Sequence, residues 1–208
     1  MKKEYILKRP FDFLLSLAGI IISLPIWLII SILIWFDDKG PIFYSQNRVG
    51  IHSKLFKTYK FRTMIPESDQ LYGNKQAEEG DKRITRVGKY LRHTAMDELP
   101  QLLSILNGDM SFVGPRALLP DEIEVNNEDT RESVPINEIP GYQYRQSVRP
   151  GLTGIAQIYA PRDINRKNKF RYDSIYIKNQ SFSLDLKLII LSFWITFRGT
   201  WESRDKKF

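Results

Sequence analysis

Residues 13–36 read FLLSLAGIIISLPIWLIISILIWF, a run without one charged side chain. As a helix it is long enough to cross the roughly 30 Å hydrocarbon core of a bilayer. It is too long for the apolar part of a cleaved leader, and no small-x-small motif precedes Asp37. Pro25 falls in the middle, where it removes one backbone hydrogen bond and bends a helix. Basic residues flank both ends: Lys2, Lys3, Lys8 and Arg9 before, then Lys39, Arg48, Lys54, Lys57, Lys60 and Arg62 after. An excess of Lys and Arg marks the cytoplasmic side of a membrane segment, so this symmetry favours keeping both ends inside. Residues 1–36 therefore read as a re-entrant helix-break-helix with Ser23 and Pro25 at its hinge; a straight span is the alternative. Ser23 is expected to cap carbonyls freed at the bend. Asp12, at the membrane edge, needs a partner, and Lys8 or Arg9 lies one turn back.

Outward from that segment, residues 37–208 read as a domain on the cytoplasmic face. The whole chain of 208 residues is long enough to bury a core. A net charge of +7 points to anionic partners: phosphates, nucleic acid or an acidic bilayer surface. The absence of cysteine removes disulfides, thiolate nucleophiles and cysteine-ligated zinc together. Only His52 and His93 are present, too few to supply a histidine metal centre. Chemistry in this chain must rest on carboxylates, Lys and Arg.

Residues 42–49 and 55–64 form a predicted β-hairpin. Residues 66–82 are polar and read as a mobile loop. Residues 83–92 form a short basic amphipathic helix, with Ile84, Val87 and Leu91 on one side, suited to a headgroup layer. Residues 94–107 read as a second helix closed by Gly108. Short strand or loop pieces are expected at 112–115 and 155–159, and a helix with a surface excursion at 121–146. Residues 184–197 are almost wholly apolar but too short to span, so they form a core helix or lie in the interface. The fold class is α+β: helix-rich, with a small β-hairpin or sheet, the re-entrant segment and interfacial amphipathic helices.

Asp97-Glu98 is the focal pair. Thr94-x-x-Asp97 fits a capping box, which accounts for one acid without any chemistry. Alternatively, a carboxylate at a helix N-terminus holds Mg²⁺ against phosphoryl oxygens, and two adjacent acids on a helix point about 100° apart, suiting separate roles. Arginines beside Gly and Pro form the second set: Gly114-Pro115-Arg116 and Arg149-Pro150-Gly151-Leu152-Thr153-Gly154. Gly-rich turns admit a ligand closely, and Arg binds phosphate with two hydrogen bonds. No Walker motif and no G-x-G-x-x-G is present.

The order of motifs resembles the small monotopic phosphoglycosyl transferases, the bacterial sugar transferase family. The matching blocks run from Lys8-Arg9-Pro10-Phe11-Asp12 through Tyr59-Lys60-Phe61-Arg62-Thr63-Met64, Arg83-Ile84-Thr85-Arg86-Val87-Gly88 and Asp97-Glu98-Leu99-Pro100-Gln101-Leu102. They continue through Gly108-Asp109-Met110-Ser111-Phe112-Val113-Gly114-Pro115-Arg116 and the Arg149 block to Tyr172-Asp173-Ser174-Ile175-Tyr176 and Leu184-Asp185-Leu186-Lys187. The resemblance implies that a UDP-sugar passes its phosphosugar to polyprenol (undecaprenyl) phosphate, leaving UMP. It implies a covalent phosphosugar on Asp97, with Glu98 assisting, and Mg²⁺ held by Asp97 and Glu98. Lys60, Arg62, Arg116, Arg149 and Asp173 are the implied substrate-binding residues. The implied place is the cytoplasmic face of a bacterial inner membrane, with anionic headgroups as a further partner, in glycan or glycoprotein assembly. Homo-oligomerisation is left open, and the chain is expected to be the minimal catalytic core of the family.

Three positions depart from the family pattern: Leu24-Pro25 stands where Ser-Pro is common, Ala117 follows Gly-Pro-Arg in place of Pro, and Pro161-Arg162 replaces a frequent Gly-Arg. The rival reading is a membrane-tethered basic module that binds nucleic acid without catalysis. Its aromatics lack base-stacking spacing, so nucleic acid is not an expected partner.

Overall fold

A computed structural model describes residues 4–68, 80–126, 132–161 and 164–198. The apolar segment forms one helix, α1 (Lys8–Asp38), with Pro25 inside it. The expected helix-break-helix is corrected here: the helix continues through Pro25. A proline deletes one bond of a ladder, and a helix packed on both sides of it survives that loss. Ser23 does not take the carbonyl freed at the bend. Its hydroxyl donates instead to Gly19 O at 2.6 Å, one turn earlier.

The buried residues of α1 are Lys8, Asp12, Ser16, Ser23, Ile30 and Ile34, a single stripe along the helix. Both ends of that stripe pack on the same folded body. At the start, Lys8 Nζ donates to Asp185 Oδ2 at 2.5 Å and to Val113 O at 2.9 Å. Asp12 Oδ1 accepts from Ser111 Oγ and the Phe112 N–H, both at 3.1 Å. Lys8 stands 4.0 Å from Asp12, as expected of the pair, and both are enclosed by protein. At the other end, Ile30 and Ile34 pack with Phe61 and Leu91. Phe13, Leu14, Ile21, Ile22, Leu28, Ile29 and Phe36 stay exposed on the opposite side.

The predicted hairpin is β1 (Phe43–Val49) with β2 (Leu55–Phe61), antiparallel, with Tyr44 opposite Lys60 and Arg48 opposite Phe56. Residues 69–79 of the expected loop lie outside the described residues. Helix α2 (Arg86–His93) begins where Thr85 Oγ1 accepts from the Gly88 N–H at 2.9 Å, and Asp37 of α1 accepts from the Val87 N–H at 3.1 Å. Gly88 has no room for a side chain: a Cβ would stand 2.1 Å from Thr63 O.

Residues 94–107 are not one helix. Ala95 takes a left-handed conformation (φ 53°), Met96–Glu98 form a 3-10 turn, and α3 (Gln101–Asn107) starts after Pro100. Proline cannot donate into a preceding turn, so it opens a helix and does not continue one. Thr94 closes α2, its hydroxyl donating to Tyr90 O at 2.9 Å, so the capping box is not formed.

Two further expectations are corrected. Residues 121–146 hold a hairpin of β4 (Ile123–Asn126) and β5 (Glu132–Pro135), then the short α4 (Tyr142–Arg145), because apolar residues alternate there at strand period. Residues 155–159 are a helix, α5 (Ile155–Tyr159); the strand lies just before, as β6 (Gly151–Thr153), parallel to β3 (Ser111–Val113). Helix α6 (Arg166–Asn179) and α7 (Phe182–Phe197) complete the body, capped by Asn165 and Ser181. Helix α7 buries Leu188, Ile189 and Ile195, as expected of a core helix, and exposes Ile190, Phe193 and Phe197.

Candidate active site

The site forms where the β1–β2 hairpin meets the 3-10 turn after α2. Strand alternation puts Lys60 and Thr58 of β2 on the same face as Tyr44, Gln46 and Arg48 of β1. The left-handed Ala95 turns the chain so that Asp97 and Glu98 come back onto that face. Lys60 Nζ donates to Glu98 Oε1 and stands 3.8 Å from Asp97 Oδ2.

Burial pushes the Asp97 carboxyl up to about 6, helped by the charge of Glu98 and opposed by Lys60 and Arg92. Burial also pushes Glu98 up, but Lys60, Arg116 and Arg48 together more than offset it, so Glu98 lies below its ordinary value. The two neighbouring acids are thus split into a firmly ionised group and one that titrates near neutrality.

Three arginines, Arg92, Arg116 and Arg48, complete the electrostatics of the two acids. Arg92, in the last turn of α2, is fixed by its Nε–H to Thr63 Oγ1 at 2.9 Å. Arg116 is exposed on the loop after β3. That loop crosses the Arg149–Gly151 segment so closely that a Cβ on Gly114 would meet Arg149 O at 2.3 Å, which only glycine avoids. Arg145 supports it from beneath, its Nη2 donating to Arg116 O at 2.5 Å.

Among the predicted residues, Lys60, Asp97, Glu98 and Arg116 come together. Arg62 does not join them: it is buried, forks onto both oxygens of Asp38 and donates to Pro41 O and Met64 O. Asp173 is buried and accepts from Arg145 Nε at 3.0 Å; burial holds its carboxyl above the ordinary range despite that partner. Arg149 pairs with Glu4 and donates to Gly108 O at 2.8 Å. Ser23 and Pro25 lie in α1, away from these charges.

Arg48, Arg92 and Arg145 were not singled out from sequence. Arg48 shares the even spacing of Tyr44 and Gln46 on the face of Lys60, a signal available once the hairpin register is known. Arg92 reads as the solvent side of an amphipathic helix. Arg145 carries no local signal.

The carboxylates of Asp97 and Glu98 already share one cation, the Lys60 ammonium, so a cation is accommodated between them. Among the described residues no cluster of three or more His, Asp or Glu exists. This donor set suits Mg²⁺, which binds through one or two carboxylates and keeps waters or substrate phosphates for the rest.

The sequence model of the family described as bacterial sugar transferase matches residues 3–199. The UDP-N-acetylgalactosamine-undecaprenyl-phosphate N-acetylgalactosaminephosphotransferase of Aeromonas hydrophila is 40% identical over 186 residues, covering 88% of this chain and 42% of that one. The undecaprenyl-phosphate galactose phosphotransferase of Salmonella typhimurium is 34% identical over 209 residues, covering 92% of this chain and 40% of that one. The exopolysaccharide production protein PSS of Rhizobium leguminosarum is 36% identical over 200 residues, covering 89% and 92%. The chain thus spans about two fifths of the first two relatives and nearly all of the third.

Proposed function

This chain belongs to the bacterial sugar transferase family, and from that premise we propose that it moves a phosphosugar from a UDP-sugar to polyprenyl phosphate, releasing UMP. The observation that carries the reading is the adjacent pair Asp97 and Glu98 gathered on the Lys60 ammonium, with the charges of Arg92, Arg116 and Arg48 acting on them.

An Asp97 oxygen attacks the β-phosphorus of the donor, and the bond from that phosphorus to the bridging oxygen breaks, so UMP leaves with the electron pair. An oxygen of the lipid phosphate then attacks the same phosphorus and releases the Asp97 carboxylate, giving the polyprenyl diphosphate sugar. Two displacements let one site serve two bulky substrates in turn. Lys60 keeps Glu98 ionised, and Glu98 handles a proton or helps hold a metal. Arg92 and Arg116 supply donors to the phosphate oxygens as charge shifts to the leaving group. Mg²⁺ held by Asp97 and Glu98 would lower the charge of the diphosphate and its leaving group.

The reading also includes placement on the cytoplasmic face of the bacterial inner membrane. At 31 residues α1 measures about 46 Å if straight, yet its packed stripe touches the body at both ends. A crossing helix would carry that body into hydrocarbon. Entry and exit on one side, with the exposed apolar residues of α1 in lipid, avoids this, and the basic residues then meet anionic headgroups.

The decisive experiment offers a panel of UDP-sugars with undecaprenyl phosphate and measures UMP. Release with at least one donor, abolished in Asp97→Asn, is expected. Silence of the wild type with every donor would overturn the reading.

A further inference from the structure

Arg48 sits near the end of β1, four residues along the strand from Tyr44, which is paired with Lys60. Its guanidinium is half-buried and fixed at two points: Nη2 donates to Gln46 Oε1 at 2.7 Å, and Nη1 donates to Ala117 O at 3.2 Å. The second bond ties it to the residue after Arg116, and the neighbouring Val49 N–H donates to Leu118 O at 2.9 Å, so strand and loop keep a fixed register. Arg48 is therefore aimed along the face of Lys60 and alongside Arg116.

The charges around it do not balance. The groups acting on Arg48 are Arg116, Glu122, Tyr44 and Glu98. Both carboxylates are already matched, since Glu98 holds Lys60 and Glu122 holds Arg166. Among the described residues neither Arg48 nor Arg116 forms an ion pair. Burial, and next the Arg116 charge, pull the Arg48 guanidinium below its usual range. The Arg116 charge thus acts repulsively on the half-buried Arg48, and an anion bound beside both would relieve that repulsion.

Resting on the transferase reading above, we propose that Arg48 is an anion-binding residue of this site, sharing with Arg116 the diphosphate oxygens of the donor. Arginine suits the task because its planar fork presents several N–H donors, of which Gln46 and Ala117 use only part. The Gln46 amide sets the angle of the fork, and Ala117 sets its distance from Arg116. The lipid phosphate, which arrives after UMP has left, does not depend on Arg48.

The test uses Arg48→Gln and Arg48→Lys in the full-length protein, with thermal unfolding as the check on folding. In Arg48→Gln the donor KM should rise at least about tenfold, the scale of one lost charged hydrogen bond. The KM for undecaprenyl phosphate and the melting temperature should stay near wild type. Inhibition by inorganic pyrophosphate should weaken in parallel, and Arg48→Lys should recover part of both effects. Unchanged donor KM and pyrophosphate inhibition in a folded Arg48→Gln would overturn the proposal. So would a fall in kcat and melting temperature with donor KM unchanged, which marks a tether and nothing more. If the wild type transfers no sugar at all, the transferase reading fails separately. Calorimetry with pyrophosphate then decides on Arg48 alone, and equal affinity in wild type and Arg48→Gln sinks it.

Discussion

The Lys60 ammonium serves two carboxylates on adjacent residues: it bonds to Glu98 and stands 3.8 Å from Asp97. The unequal sharing is what separates the two acids. Glu98, in direct contact and flanked by Arg116 and Arg48, stays ionised; Asp97, farther from the ammonium, is raised by burial that Lys60 and Arg92 offset only in part. Asp97→Asn should therefore abolish turnover while leaving a folded, membrane-bound protein, because an amide cannot form the acyl phosphate. Glu98→Gln should lower kcat at least about a hundredfold, within the range of one positioned acid-base group. Activity should vanish in EDTA and return with Mg²⁺; full turnover in EDTA would remove the metal from the proposed function.

The same Asp97→Asn change should stabilise the metal-free protein. The folded pKa, about 6, lies above the ordinary 3.8, so the favourable contribution of this group is complete below about 3.8 and is lost as pH rises through about 6. A shift of that size corresponds to about 3 kcal/mol, the cost of holding the charge in its buried place. An asparagine has no charge to hold. In EDTA, the melting temperature of Asp97→Asn should exceed that of the wild type by a margin that widens between about pH 4 and about pH 6 and is level above about pH 7. A margin independent of pH would show that Asp97 titrates at its ordinary value.

Arg62 carries a different expectation. Its fork onto Asp38 joins the segment just after β2 to the last turn of α1, and its hydrogen bonds to Asp38, Pro41 O and Met64 O are internal to the protein. Arg62→Met leaves Asp38 without its ion pair and the Pro41 and Met64 carbonyls short of a donor. It should cost about 3 kcal/mol, the scale for breaking a largely buried pair. The folded fraction should keep the donor KM of the wild type. A raised donor KM at unchanged melting temperature would instead place Arg62 in the substrate site.

Much of this arrangement is legible in the chain. The apolar run, the β1–β2 hairpin and the helix ending at Gly108 follow from local patterns of charge and hydrophobicity. The break at Ala95 does not, because a left-handed alanine has no sequence signature and Thr94 offers a plausible cap in the wrong direction. Asp173 and Arg149 look equivalent to Arg116 when met as motifs. Tertiary pairing with Arg145 and Glu4 sets them apart from Arg116, which is exposed. The continuity of α1 through Pro25 is hidden for a related reason: proline signals a lost hydrogen bond, while the packing that keeps α1 helical comes from Leu102 against Gly19 and from distant residues such as Phe61 and Leu91.

That packing yields a sharper prediction about topology. Lys8 is locked to Asp185 at one end of α1, and Asp38 is locked to Arg62 at the other, so both ends belong to one body and must lie on one side of the membrane if the body does. Single cysteines at the exposed positions Ile6 and Ser45 can be introduced without background, because the chain has none of its own. In intact cells a membrane-impermeant thiol reagent should label neither Ile6→Cys nor Ser45→Cys until the cells are opened, with a known periplasmic cysteine as positive control. Labelling of Ile6→Cys alone in sealed cells would mean that α1 crosses and that its first turn does not stay docked on Asp185. Pro25→Leu, which restores the missing N–H, should leave both positions protected, since the two ion pairs and not the proline hold the ends together. If Pro25→Leu alone exposes Ile6→Cys, the bend governs topology and the end contacts follow from it.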